Sequence, residues 1–156
     1  ICTTKNNTMK KLLLLLLIPT MSFSQDLSVG FQSSFPSYGL SLKADFDDKN
    51  SAQAIFGAFG TVSTYSGRYI YNFNPIPNDI TPFVYAQAGM WEYKFDLLDI
   101  KESVFGYGFG CGLEFNIFKS FLKGLKSSVE LSYGSVDLEY FDFKATTFGF
   151  GVHYSL

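Results

Sequence analysis

Phe148-Gly149-Phe150-Gly151-Val152-His153-Tyr154-Ser155-Leu156 is the stretch whose reading decides the fold. Large apolar residues hold every second position, and glycine, histidine or serine holds the positions between. Strand side chains alternate between faces with a period of two, so this is a strand with one greasy face and one small or polar face. The pattern returns in Phe105-Gly-Tyr107-Gly-Phe109-Gly-Cys111-Gly-Leu113-Glu-Phe115-Asn-Ile117, whose odd positions are aromatic or aliphatic throughout apart from Cys111. A soluble barrel turns its apolar side chains inward, because water lies outside. Here the apolar face is bulky and the other is glycine ending in a carboxylate, which predicts lipid against the bulky face and a narrow lumen behind the glycines. The predicted lipid-facing set is Phe105, Tyr107, Phe109, Leu113, Phe115, Phe148, Phe150, Val152 and Tyr154.

The N-terminal region fits an exported chain. Met9 is followed by Lys10 and Lys11, the apolar run from Leu12 to Ile18, Pro19, and the small-residue sequence Ser22-Phe23-Ser24. A basic start, a short apolar core and small residues before the cut describe a cleavable signal peptide over 9–24, cut between Ser24 and Gln25. The run is too short for a spanning helix, which needs roughly 20 apolar residues. Residues 1–8 read as an upstream extension, and 25–156 as a single domain. Loss of Lys5, Lys10 and Lys11 leaves 9 basic against 14 acidic residues, a balance that excludes nucleic acid as a partner. Cys111 is the one cysteine left, so no internal disulfide is expected.

Six further segments alternate. Leu27, Val29 and Phe31 form one apolar face, Tyr38, Leu40, Leu42, Ala44 and Phe46 a second, Tyr65, Tyr69, Tyr71 and Phe73 a third, and Val129, Leu131 and Tyr133 a fourth. The facing of 53–62 is ambiguous. The register of 83–95 is open too, because Gln87 and Glu92 fall on opposite faces unless a bulge near Gly89 intervenes. Eight strands of roughly ten residues use about 80 positions and leave room for connections, and an even count puts both ends on the periplasmic side. The periplasmic turns are then 47–50, 74–79, with prolines 75, 77 and 82 marking a turn, and 118–127, which suits either a short interfacial helix or an ordinary turn. The outer loops are 34–37, 63–64, 96–103 and 135–144. The last two form an acidic rim of Asp96, Asp99, Glu102, Asp137, Glu139 and Asp142.

Arg68, Glu114, Glu130 and His153 fall on lumen positions. The two carboxylates flank the third periplasmic turn and should sit together, with Arg68 and His153 as the available partners. A salt-bridged plug follows, because an eight-stranded interior is only wide enough for side chains. His153 and Ser155 share a strand face and resemble the His-x-Ser element of outer-membrane lipid A deacylases. That family carries an acidic partner after the element, which this sequence lacks, so catalysis is not expected. No metal-ligand spacing or phosphate loop is present, and neither metal nor cofactor is implied.

The pattern as a whole resembles the small eight-stranded outer-membrane β-barrels of Gram-negative bacteria, the porin-family group. The resemblance implies an all-β, antiparallel up-and-down barrel in the cell outer membrane with a structural, adhesive or surface-interaction role and no enzyme activity. It also implies a monomer in contact with outer-membrane lipid and lipopolysaccharide. The closing strand of that family is read by the barrel-assembly machinery, a role that falls here on Tyr154 and on Leu156, where the family usually has Phe. The rival reading is a secreted lipocalin-like barrel that binds a hydrophobic ligand, with its aromatic face inward.

Overall fold

The computed structural model describes residues 26–59, 61–77, 79–95, 100–116, 124–138 and 141–156. The leader expected over 9–24 and the extension expected over 1–8 lie outside these residues. Eight strands follow in order: β1 Asp26–Ser34, β2 Ser37–Asp45, β3 Asn50–Phe59, β4 Val62–Asn72, β5 Ile80–Phe95, β6 Ile100–Phe115, β7 Leu125–Leu138 and β8 Phe141–Ser155. Each is antiparallel to the next, and β8 closes on β1 from Ser28↔Ser155 to Ser33↔Phe150. Closure leaves no sheet edge within the wall, so backbone groups pair between strands, the condition for crossing a bilayer with strands.

The polarity is inside-out. Ser28, Gln32, Ser41, Gln53, Arg68, Gln87, Glu130 and His153 are buried, whereas Phe31, Leu40, Phe56, Tyr69, Val129 and Phe150 are exposed. The predicted outward residues face outward: Phe105, Tyr107, Phe109, Leu113, Phe148, Phe150, Val152 and Tyr154 are exposed, and Phe115 at the strand end is half-buried. A polar interior is the reverse of what a soluble barrel for a hydrophobic ligand requires.

Both open registers are settled by the ladders. In β3, Ser51, Gln53 and Ile55 point inward and Phe56 outward. In β5 the pairing runs unbroken from Ile80↔Phe115 to Phe95↔Ile100, with no bulge at Gly89. Phe83, Tyr85, Gln87 and Trp91 point inward and Val84 and Met90 outward, so this aromatic strand faces the lumen. The glycines of β6 make the room. Phe83 pairs with Gly112 and Tyr85 with Gly110. A Cβ on Gly112 would lie 2.5 Å from Phe83 Cζ, and one on Gly110 would lie 2.7 Å from Tyr85 Cζ.

Several connections are shorter than the alternation suggested. Strands occupy 100–103 of the first of the expected acidic loops and most of 135–144, with β6 starting at Ile100, β7 running to Leu138 and β8 starting at Phe141. Of the expected acidic rim, residues 96, 99 and 139 lie outside the described residues. Glu102 is half-buried opposite Tyr93, and Asp137 pairs with Asp142 across the β7–β8 ladder. Pro82 belongs to β5 rather than to the preceding turn: it lacks an N–H, but its carbonyl accepts from Phe73 N at 2.8 Å. The expected interfacial segment lies largely outside the described residues, and β7 begins at Leu125 inside the range read as a turn.

Candidate functional site in the barrel lumen

Inward-facing polar residues on all sides of a narrow barrel must find partners across it, since an unpaired buried polar group is costly. Two ionic clusters and one loop do this here. Near the end where β1 begins and β8 finishes, Lys43 and Asp45 of β2 face Glu114 of β6 and Lys126 of β7. Lys43 Nζ lies 2.7 Å from Glu114 Oε2 and 3.7 Å from Asp45 Oδ1. Lys126 Nζ lies 3.6 Å from Glu114 Oε1 and 3.7 Å from Asp45 Oδ2. Cations and carboxylates therefore alternate in a four-membered ring.

A second cluster lies deeper. Arg68 Nη1 is 3.0 Å from both carboxylate oxygens of Glu130, and the two side chains are 0% and 2% exposed. Nη2 donates to Ser34 Oγ at 2.6 Å and to Gln87 Oε1 at 2.8 Å, while Nε donates to the same amide oxygen at 3.2 Å. The guanidinium lies 3.9 Å above the centre of the Tyr85 ring. Planar, many-donor geometry suits arginine to such a site, where lysine could not serve four partners at once.

Between the clusters, His153 Nε2 is 2.5 Å from Ser41 Oγ and 3.0 Å from Gln53 Nε2. Beyond Arg68, the Phe35-Pro36 turn folds inward: Pro36 and Ser37 are buried, Gln87 Nε2 donates to Phe35 O at 3.2 Å, and Trp91 Nε1 donates to Pro36 O. A Cβ on Gly134 would meet the Phe35 ring at 3.0 Å, so this turn spans from β1–β2 to β7.

The sequence reading is thus corrected in its pairings. Arg68, Glu114, Glu130 and His153 all face the lumen, but Glu114 and Glu130 do not share one cation. Glu114 belongs to the lysine ring and Glu130 to Arg68, because successive inward positions on neighbouring strands lie at different depths. His153 is satisfied by a hydroxyl and an amide, not by a carboxylate. It is not hydrogen-bonded to Ser155, whose Oγ lies 3.3 Å from Ser28 Oγ, so the pair lacks the contact between base and nucleophile. Lys43 was legible from the alternation of β2, where it sits between Leu42 and Ala44 of the opposite face. The 34–37 segment, read as an outer loop, gave no such signal. Among the described residues no cluster of three His, Cys, Asp or Glu side chains could hold a metal.

No family model matches the chain, and no curated protein matches it. Solved structures do. The N-terminal β-barrel domain of Pseudomonas aeruginosa OprF is 18% identical with a TM-score of 0.60, covering 84% of this chain and 96% of that one. Neisserial surface protein A is 12% identical with a TM-score of 0.55, covering 84% of this chain and 94% of that one. The fold is that of the small eight-stranded outer-membrane barrels, and an apolar wall around a polar lumen is the polarity that this location requires.

Proposed function

We propose that this outer-membrane barrel is a non-catalytic structural and surface-interaction protein whose lumen is closed, rather than a diffusion pore. The observation that carries the reading is the stack of groups across the interior. The Lys43–Glu114–Lys126–Asp45 ring, the Arg68–Glu130 pair and the inward Phe35-Pro36 turn occupy successive depths. An ion passing through would have to displace partners that satisfy buried charges, and each such rupture is costly. The surface role is supported by the outer end, where β5–β8 carry 14 to 16 residues each against 9 to 11 in β1–β4. The longer strands rise beyond the last pairings with β1 and β4 and offer a raised platform for contacts outside the membrane. Tyr154 and Leu156 serve in this reading as the assembly signal, and lipid and lipopolysaccharide surround a monomer.

Single-channel recording of the purified protein in planar bilayers tests the closed lumen. The expected result is no conductance, or only brief small openings. A large, steady conductance in every insertion event would overturn the reading.

A further inference from the structure

We propose, on the basis of the surface-interaction role above, that the free edge of β8 beyond the closed wall binds an extended segment of another protein as an added antiparallel strand. Main-chain groups of β8 alternate between its two neighbours. Ser155 N donates to the carbonyl of Gly124, which leads into β7, and Leu156 N donates to Leu27 O of β1. The β7–β8 pairing runs unbroken from Leu125↔Tyr154 to Leu138↔Phe141, so the even-numbered residues of β8 turn their N–H and C=O toward the β1 side throughout. Phe150 O, which accepts from Gln32 Nε2 of β1 at 3.2 Å, keeps that parity, and Thr147 O, which accepts from Ser132 Oγ of β7 at 3.2 Å, keeps the opposite one.

Ser33↔Phe150 is the last pair of the β1–β8 ladder. The next bonded pair would join Phe35 to Phe148, but Phe35 turns into the lumen, where its carbonyl accepts from Gln87 Nε2. The turn that plugs the barrel thus strips the upper part of β8 of its neighbour. Among the described residues no strand pairs with Lys144, Thr146 or Phe148 on that side, and Phe148 is 88% exposed. A bare edge of this kind is a template for another strand. A lipid phosphate could accept from its N–H groups but would leave the carbonyls unpaired, whereas an extended chain supplies both donors and acceptors at the strand repeat. Side chains along the edge set the partner's character. Lys144 and Thr146 are exposed beyond Phe148, so the added strand would place a carboxylate opposite Lys144 and an apolar residue opposite Phe148.

Fluorescence anisotropy of a labelled pentapeptide titrated with the protein in phospholipid nanodiscs provides the test. The peptide has valine, threonine and glutamate at its first, third and fifth positions and serine between, the order that sets glutamate against Lys144 in an antiparallel register. Saturable binding that empty nanodiscs do not show is expected. Methylating the amide nitrogens of the first, third and fifth residues should abolish it, and methylating the second and fourth should not, because only the first set faces β8. Thr146→Pro should weaken binding about tenfold: proline removes a donor that the β7 ladder does not use, so the strand itself is retained. Lys144→Glu should weaken the glutamate peptide several-fold and favour its lysine counterpart. The proposal is overturned by the absence of saturable binding, by equal binding of the two methylated peptides, by unchanged affinity in Lys144→Glu, or by stoichiometric displacement of the peptide with lipid A, which would assign the edge to lipid. Lys144→Glu and the methylated peptides decide the matter even if Thr146→Pro does not fold. Single-channel recording of the same preparation tells the two readings apart. A closed lumen without peptide binding removes the added strand alone, whereas a steady conductance removes the closed lumen and, with it, the inward turn that frees the edge.

Discussion

β5 and β6 are register partners of 16 residues each, both rich in aromatic residues, and they wear them on opposite faces. β6 sends Phe105, Tyr107 and Phe109 outward, whereas β5 sends Phe83, Tyr85 and Trp91 inward. The glycines of β6 explain the difference. A Cβ on Gly106 would lie 2.5 Å from Trp91 Cζ3, and Gly110 and Gly112 stand just as close to Tyr85 and Phe83. The rings of one strand lie across the bare backbone of the next, the arrangement in which an aromatic neighbour compensates a strand glycine. An aromatic strand in a membrane barrel therefore need not face lipid. Its facing is settled by whether its neighbour leaves room inside.

The largest expected effect lies where the inward face of β5 holds the plug. Arg68→Ala leaves Glu130 buried without its cation and removes the partner of Gln87 and Tyr85, so unfolding in lipid vesicles should show a loss of roughly 3–5 kcal/mol. Adding Glu130→Ala should restore part of it. A loss in the range of about 0–1 kcal/mol, typical of exposed pairs, would mean that the interior is wet and the cluster weak.

Next in size is a direct comparison of the two outer faces. Ala86 and Phe109 are register partners at one depth, both exposed. Ala86→Arg and Phe109→Arg should each cost roughly 2–4 kcal/mol at the bilayer midplane, despite the unequal size of the native residues. Folding yields in vesicles that fall for Phe109→Arg and not for Ala86→Arg would break the inward assignment of β5.

A smaller effect probes the seat itself. Gly110→Ala puts a Cβ 2.5 Å from Leu131 O and 2.7 Å from Tyr85 Cζ, and overpacking of this kind costs roughly 1–3 kcal/mol. Gly67, on the outer face of β4, has nothing within 4 Å of an added Cβ. Gly67→Ala should therefore gain roughly 0.5–1 kcal/mol in the same unfolding assay, the ordinary advantage of alanine over glycine in a strand. Equal behaviour of the two variants would show that the ring-over-glycine contact is not tight.

The least effect is expected where neither face matters, in the β2–β3 turn. The Asn50 side chain, and then the N–H groups of Lys49 and Asn50, hold the Asp47 carboxyl below its ordinary value. A carboxyl with a lowered folded-state pKa stabilises the fold above its unfolded value, and the contribution disappears as pH falls through the folded value. Asp47→Ala should thus be slightly less stable than the native protein at neutral pH and equal to it in strong acid, read from unfolding midpoints across that range.

Much of this was legible in the residues. Phe105 to Phe115 and Phe148 to Tyr154 alternate so regularly that strand, facing and barrel class follow from a period of two. Arg68, Glu130 and His153 were placed in the lumen by the same parity. The β7–β8 hairpin is longer than its alternation shows, because Asp137, Asp142 and Lys144 have the polarity of a solvated loop. Strands that rise out of the membrane carry such residues freely, so polarity marks the bilayer boundary there and not the strand end. The inward fold of Phe35-Pro36 left no trace in alternation, because a two-residue turn has no period.

Local order, then, was determined by the sequence alone: side chains on a strand must alternate, and the bilayer leaves a closed barrel as the one way for strands to satisfy their backbone. Parity assigns each residue a face but not a depth, nor a partner across the lumen. Glu114 to the lysines, Glu130 to Arg68 and the aromatic residues of β5 to the glycines of β6 were decided only by the tertiary structure. Those matches depend on strand stagger and on the space each neighbour leaves, which exist only once the barrel has closed.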